Sequence, residues 1–208
     1  EQEEKCKQEE AVRKARLAEE ERKRNEITKR TGTIFGHEYV DLGLSVKWAA
    51  CNVGANAPEE YGDYFAWGET TTKNSYTAYN STYDKSMYDI SDNASCDAAR
   101  ANWGGSWRLP TGRDLEELKN KCSWKWITQS GVNGYKVIGP NGNSIFLPAA
   151  GYCCGSSRDY VGKIGTYWSS SLESRSGNKA YRLYFDSSSR NVHWGCCDCG
   201  RTVRPVSK

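Results

Sequence analysis

The residues from 165 to 206 constrain this chain most, because three regular stretches there enclose an irregular one. The regular stretches are a strand that begins at Gly165, an alternating strand over 180–185 and a short terminal strand closed by Pro205. Between the last two lies 193–199, here named the mixed segment, which has three cysteines in four residues and no core periodicity. Rigid strands that carry chemically varied residues suit a recognition surface. An enzyme more often shows a few convergent titratable groups, so the pattern favours binding.

The first 30 residues are a segment of a different kind. Charged residues alternate there in short blocks, and the common residues Ala, Arg, Lys and Glu are all strong helix formers. Several acidic residues precede a basic one by three or four positions, a spacing that stabilises an exposed helix. Large apolar residues do not form a heptad pattern, so a solvated stalk and a coiled coil that multimerises the protein both stay open. We predict a charged helical stalk over 1–30 and a ligand-binding domain over 31–208.

From residue 39 onward the pattern predicts an α+β fold. Two short helices are expected, one over 96–103 that Gly104 ends, and one over 111–122 with Thr111 as its N-cap. Strand-like runs lie at 39–42, 44–48 and 64–67, and a hairpin is expected where 135–138 and 144–147 flank turn residues. Residues 70–95 and 151–165 are interpreted as loops. Short helices followed by antiparallel strands are typical of the α+β class.

Four motifs, in this order along the chain, carry a resemblance to a known family. They are 36–48 (GHEYVDLGLSVKW), 61–69 (YGDYFAWGE), 103–111 (WGGSWRLPT) and 147–151 (LPAAG). They resemble the Fibrobacter succinogenes major paralogous domain, which is frequent in gut Bacteroidetes and has a C-type-lectin-like fold. Residues 166–171 (TYWSSS) and 201–206 (RTVRPV) are similar to the ends of the variable segment in variable proteins of diversity-generating retroelements. The resemblance covers about residues 36–206 and implies a C-type-lectin-like domain.

The implied fold leaves three kinds of function open. They are ligand recognition, a structural adhesin or pilus-tip module, and an enzyme of the formylglycine-generating type. Calcium-dependent sugar binding is not carried over, because Trp168 is followed by three serines where those lectins have amide and carboxylate ligands. A cysteine nucleophile would need a base or a metal beside it, and the two histidines are His37 and His193. We expect no catalytic residues.

The mixed segment contains residue types that can bind a metal ion. His193 lies near Cys196, Cys197, Asp198 and Cys199, and the cysteines formally contain one C-x-x-C motif. Structural zinc sites usually bring two regularly spaced ligand pairs, and adjacent cysteines fit a tetrahedron poorly. Nine cysteines in tight clusters do not give a disulfide framework either. We expect neither a metal nor another cofactor.

One exposed face is expected to combine residues 152–160, 181–184 and 193–201. Its candidate residues share a property: mutating the adenines of an Asn codon (AAC or AAT) can produce each of them, whereas Lys, Glu, Gln, Met and Trp cannot arise this way. Exposed loops favour Tyr, Gly and Asp without any diversification, but exposed thiols are a liability that a fixed sequence tends to avoid. We therefore hypothesise diversification by a retroelement. The candidate ligand-binding residues are Cys153, Cys154, Arg158, Tyr160, Tyr181, Arg182, Tyr184, His193, Gly195, Cys196, Cys197, Asp198, Cys199 and Arg201.

Other residues are predicted to serve the scaffold. Arg108 and Arg204 are expected to pair with buried carboxylates such as Asp41 or Asp63. Indole rings dominate the cores of small domains. The tryptophans expected in the core are Trp48, Trp67, Trp103, Trp107 and Trp168.

Composition limits the partners. The net charge of +3, from 29 basic and 26 acidic residues, does not indicate nucleic acid. Part of the 8 Trp and 13 Tyr must build the core, but both residues are also enriched in binding surfaces. We expect a protein or glycan partner on another surface, with self-association through the N-terminal helix as a further hypothesis. The only Met is Met87 and no signal-peptide core is present, so we expect a processed or trimmed chain from which any export signal has been lost. We expect this chain at the cell surface, outside the cell or on a phage particle.

Overall fold

Contacts within the chain divide it into two compact units, Glu1–Gly32 and Thr33–Lys208, the second of which is named the body. The computed structural model describes residues 2–83, 86–173 and 177–208, and gives the backbone alone for residues 2–7 and 23–30. The first unit contains helix α1 (Gln2–Arg30). Its described side chains are nearly all exposed, Val12 and Leu17 among them. None of the helices in these ranges has both the length and the apolarity of a membrane span.

Short strands make up most of the remaining regular structure. In the described part of the chain, the elements that follow α1 are β1 (Thr31–Ile34), β2 (His37–Val40), β3 (Lys47–Ala49), a 3-10 turn (Ala78–Asn80), α2 (Ala98–Trp103), α3 (Gly112–Lys121), β4 (Ser123–Gln129), β5 (Val132–Ile138), β6 (Ser144–Pro148), β7 (Tyr152–Cys154), β8 (Ser157–Asp159), β9 (Gly165–Leu172), β10 (Lys179–Phe185), β11 (Arg190–Cys196) and β12 (Val206–Ser207).

The strands form four small sheets. Their orders are β1-β2-β3-β12, β11-β10-β9, β4-β5-β6 and β7-β8. Antiparallel pairing joins β10 to both of its neighbours and β3 to both β2 and β12. Few helices with several antiparallel sheets make this an α+β protein, as the sequence predicts.

The predicted helices and hairpin are present in the body, and local signals explain them. Thr111 caps α3 in a reciprocal capping box: its Oγ1 accepts from the Asp114 N–H at 3.2 Å, and Asp114 Oδ2 accepts from the Thr111 N–H at 2.8 Å. Helix α2 ends where the Gly104 N–H donates to the Arg100 carbonyl, with Gly104 at φ 67°. The hairpin pairs β5 with β6. Capping and turn residues act within a few positions, so the sequence displays them directly.

Tryptophans fill the centre of the body, as predicted. Trp48, Trp67, Trp107 and Trp168 are each at most 1% exposed, and Trp103 is also buried. The Trp67 indole N–H donates to the Ser169 carbonyl at 2.9 Å, and that of Trp168 donates to the Phe65 carbonyl at 2.8 Å. Buried indoles normally need such an acceptor. The core therefore fixes the orientation of β9.

The predicted pairing with a buried carboxylate is confirmed for Arg108 and wrong for Arg204, and neither arginine pairs with Asp41 or Asp63. Arg108 pairs with Asp114 at 2.9 Å, because Asp114 lies in the capping turn that directly follows it. Arg204 contacts no carboxylate among the described residues. Its guanidinium donates instead to Asn52 Oδ1 at 2.8 Å, to the Phe146 carbonyl at 2.9 Å and to the carbonyls of residues 49 and 50. Backbone acceptors leave no trace in a sequence.

Three expectations for strands and loops also need correction. Residues 64–67 are buried but form only an isolated bridge, between Phe65 and Arg201. The stretch 151–165, interpreted as a loop, contains β7 and β8. Residues 190–196 form β11, an edge strand with exposed side chains on both faces and only Gly195 buried. Such a strand lacks the alternation of apolar residues that identifies a half-buried one.

Candidate functional site

The sheet β9-β10-β11 provides a rigid floor for the candidate site. In β10, Leu183 and Phe185 are buried while Arg182 and Tyr184 are half-buried. Successive side chains of a strand point to opposite faces, so Arg182 and Tyr184 lie on the side away from the core. The register between β9 and β10 shifts between Ala180 and Arg182. Because Leu183 and Phe185 are anchored in the core, the positions of Arg182 and Tyr184 on the other face of β10 are fixed as well.

The β7–β8 hairpin lies beside this floor. The Cys153 N–H donates to the Gly200 carbonyl at 2.8 Å, and the Gly200 N–H donates to the Cys153 carbonyl at 3.0 Å. Residues 200–202 in turn run along β9, where the Trp168 N–H donates to the Thr202 carbonyl at 3.1 Å. Backbone hydrogen bonds therefore join the predicted segments 152–160 and 193–201 to each other and to the sheet.

A cleft of about 480 Å³ opens between the hairpin, β10 and the end of the mixed segment. Six of the candidate residues line it, and they come from all three predicted segments. Three further lining residues were not among the candidates, although one of them, Tyr152, lies within the predicted segment 152–160. The lining residues are Cys154, Tyr160, Arg182, Tyr184, Cys199, Arg201, Tyr152, Ile164 and Thr166.

Tyrosines form much of the rim of the cleft. The Tyr152 and Tyr160 rings stack with centroids 5.9 Å apart, and Tyr160 is 57% exposed. Tyr160 also has a φ of 57°, a left-handed conformation that is uncommon for a residue with a side chain. Tyr184, on β10, also lines the cleft, and its ring centroid lies 5.9 Å from that of His193. Rings with a polar tip contribute large contact areas at low entropic cost.

Four candidates expected at the surface are buried, which corrects that part of the prediction. Cys197 is 0% exposed because its backbone is fixed by hydrogen bonds to Trp67 and Asn178 and its side chain joins the tryptophan core. Cys153, in β7, is part of a buried cluster that includes Tyr64. Gly195 is covered by arginine side chains, and Arg201 is 5% exposed. A cluster of cysteines in a sequence does not reveal which of them face inward.

The other candidates lie near the cleft or elsewhere on the body without lining it. Tyr181 lines a separate depression with Ser171 and Val192. The Arg158 guanidinium lies 4.8 Å from the Tyr64 ring centroid. His193 and Cys196 are exposed, and Asp198 is half-buried between Cys197 and Cys199.

The thiols of Cys197 and Cys199 are not activated as nucleophiles. Burial raises the pKa of Cys197 to about 12 and that of Cys199 to about 11, in each case against the opposing effect of Arg201. Burial, with Arg182 and Arg201 nearby, lowers the pKa of His193 and so favours the neutral imidazole. A nucleophilic cysteine needs a lowered pKa. Among residues 2–83, 86–173 and 177–208, no group of three or more His, Cys, Asp or Glu side chains is placed to hold a metal ion.

Thiol reactivity should follow this arrangement. With iodoacetamide at pH 7.5, we expect Cys154 and Cys196 to be alkylated first among the cysteines whose side chains the structure describes, because both are exposed. Cys197 should react last, since its thiolate is scarce and its sulfur is buried. Mass spectrometry of peptides from timed samples gives the order, and the same reaction in urea is the control in which the order should disappear. Early labelling of Cys197 in the folded protein would contradict its placement.

No family model, no curated protein and no solved structure matches this chain.

Proposed function

We propose that the body is a ligand-recognition domain with a C-type-lectin-like fold, and that the cleft and its rim form the binding face. The observation that carries this proposal is the meeting of 152–160, 181–184 and 193–201 around one cleft, although they are far apart in the sequence. Binding sites are typically concave, with varied side chains held by a rigid scaffold. The partner is a protein or a glycan, and the domain carries out no turnover.

The roles of the family-like motifs support the lectin-like assignment. Trp48, Trp67, Trp107 and Trp168 come from motifs that carry the resemblance, and all four are buried at the centre of the body. Arg204, from the terminal motif, joins distant segments through carbonyl groups. Motif residues thus build the scaffold, while many residues between the motifs form the rim. This division is what a fold with interchangeable binding residues requires.

Diversification by a retroelement is part of the proposal. Exposed or half-buried candidates such as Cys154, Tyr160, Tyr184 and Cys196 can change without disturbing the core. Buried Cys197 cannot, so it falls outside the set of residues that are free to vary. Sequencing the surrounding DNA tests this: a nearby copy of the 3′ end that differs at adenines supports diversification, and its absence argues against it.

The alternative of a formylglycine-type enzyme lacks a supporting observation. The shifted thiol pKa values in the site are raised, and the ring contacts of His193 are with Tyr184 and Trp194. Recognition needs no activated group, so it accounts for this chemistry without further assumptions. Helix α1 would display the domain at a surface or associate with a second copy.

Rim tyrosines should decide binding while leaving stability unchanged. We would screen the full chain against arrays of glycans and of surface proteins, then measure Kd for each hit by interferometry. Tyr160→Ala and Tyr184→Ala should each weaken binding by about thirtyfold, since losing an interface hot spot costs about 2 kcal/mol. Substitutions at the protein surface usually alter the free energy of unfolding by less than about 0.5 kcal/mol, so both variants should keep the Tm of the parent.

Tyr79→Ala is the matched control, because Tyr79 is fully exposed and lies outside the cleft. It should alter neither Kd nor Tm. A partner that binds Tyr160→Ala, Tyr184→Ala and Tyr79→Ala with the same affinity binds elsewhere on the protein. That result would contradict the cleft as the binding face.

A further inference from the structure

Two arginines lie side by side in the wall of the cleft. Both line it, and both cover Gly195: a Cβ on that glycine would lie 2.5 Å from Arg182 Nε and 2.8 Å from Arg201 Nη2. Only a glycine leaves room for the two guanidinium groups at this place. Two positive charges that both lie beside one glycine repel each other, so a negatively charged or accepting group nearby would stabilise the arrangement.

Contacts with the protein hold Arg201 in place but leave it incompletely paired. Its Nη1 donates to the Cys196 carbonyl at 2.8 Å, and its guanidinium carbon lies 4.2 Å from the Trp168 ring centroid. Its Nε is buried and has no acceptor among the described residues. The Nε and Nη1 atoms of Arg182 are likewise buried without an acceptor among the described residues. Buried donors are nearly always paired, so three such atoms in one cleft require an explanation.

No described carboxylate lies within 4 Å of either guanidinium. Asp186, which follows β10, is occupied by the N–H and hydroxyl groups of Ser188 and Ser189 at 2.8 to 3.0 Å. Burial and the charge of Arg201 lower the pKa of Arg182 to about 10, so it still carries its charge at pH 7. Buried charges are normally paired or bound to an ion.

The scaffold arginines of the same body show the contrast. Arg108 has the carboxylate of Asp114 at 2.9 Å, and Arg204 has Asn52 Oδ1 and three carbonyl oxygens. Their positions are therefore explained by the fold alone. Arg182 and Arg201 differ because they reach the cleft, where a ligand could supply the missing acceptor.

We propose that the cleft receives the carboxylate of an Asp or Glu side chain of a protein partner, which accepts hydrogen bonds from Arg182 and Arg201. A carboxylate is planar and matches the fork of guanidinium donors. The rim favours a protein as its source, because Tyr152, Tyr160 and Tyr184 surround the pair and Tyr and Arg dominate protein hot spots. This inference rests on the proposed recognition function and names the ligand chemistry of its cleft.

The test uses the full chain labelled with ¹⁵N and a blocked Gly-Ser-Glu-Ser-Gly peptide as probe. NMR detects the Nε–H signals of the two arginines, which the variants Arg182→Gln and Arg201→Gln assign by their loss. The peptide should shift both signals saturably, whereas the matched Gly-Ser-Gln-Ser-Gly peptide should shift neither. Attraction between charges also predicts weaker binding as salt is raised.

Arg182→Gln should weaken binding of the Glu peptide at least about tenfold, because it removes a charge-assisted hydrogen bond. It is the decisive variant, since Arg182 is less buried than Arg201 and its loss disturbs the core less. Arg190→Gln is the control: it removes the same charge from exposed β11, outside the cleft, and should leave the affinity unchanged.

Two results would overturn the inference. One is equal response to the Glu and Gln peptides; the other is that glucuronate or inorganic phosphate shifts the arginine signals at lower concentration than the Glu peptide, which would point to a glycan or phosphate ligand. Failure here is distinct from failure of the recognition function. Suppose that a screened partner no longer binds the Tyr184→Ala variant but still binds the Arg182→Gln variant. The recognition function would then be supported, and the inference of a carboxylate ligand would be wrong.

Discussion

Replacing Arg204 by Met is expected to destabilise the body by about 3 kcal/mol or more. Arg204 is 1% exposed. Its guanidinium donates to Asn52 Oδ1 and to the carbonyls of Phe146, Ala49 and Ala50. Met keeps the apolar volume but supplies no donor, and each buried acceptor left unpaired costs roughly 1 to 3 kcal/mol. Removal of a buried charge offsets part of this loss.

Urea denaturation followed by Trp fluorescence measures this effect as a lower midpoint. Arg113→Met, on the exposed side of α3, is the control and should move the midpoint little. An Arg204→Met protein as stable as the parent would mean that water replaces the guanidinium at these acceptors.

Replacing Trp168 by Ala should cost about 3 to 5 kcal/mol, the usual range for a buried Trp. Its ring is 1% exposed and its indole N–H donates to the Phe65 carbonyl at 2.8 Å. For a body of this size, that loss corresponds to a decrease in Tm of about 10 °C. Because the Arg201 guanidinium lies over the same ring, the variant should also weaken binding of the Glu peptide.

Trp194→Ala is the matched control for Trp168→Ala. Trp194 is 47% exposed on edge strand β11 and contacts the Lys179 ammonium rather than the core. Calorimetry should therefore find its Tm within about 2 °C of the parent. If both variants lose equal stability, the division between scaffold and rim does not hold.

Local signals let the sequence predict much of the scaffold. The capping box of Thr111 and Asp114, the Gly104 helix end and the β5–β6 hairpin all depend on residues a few positions apart. The buried tryptophans follow from their size and low polarity. These parts need no knowledge of the tertiary structure, so the sequence alone was sufficient for them.

The cleft was predictable only in outline. Strand alternation and motif boundaries indicated the three segments, but the partners of Arg204 and the burial of Cys197 depend on contacts between distant residues. Cys196 and Cys197 are adjacent in the sequence, yet one is exposed and the other is fully buried. The pair of unmatched arginines could not be foreseen, because it results from Gly195 bringing β10, β11 and residue 201 together.

The pairing of the last residues with the first strands of the body has a consequence for how fast the protein folds. The Ala49 N–H donates to the Pro205 carbonyl, the Val53 N–H donates to the Val203 carbonyl, and Arg204 binds Asn52 across 152 residues of chain. Loop-closure entropy opposes contacts between residues so far apart, and folding rates fall as sequence separation grows. We therefore expect refolding to be slow and limited by the docking of residues 203–207. Partly folded molecules that await this step would expose the edge of β3 to other chains.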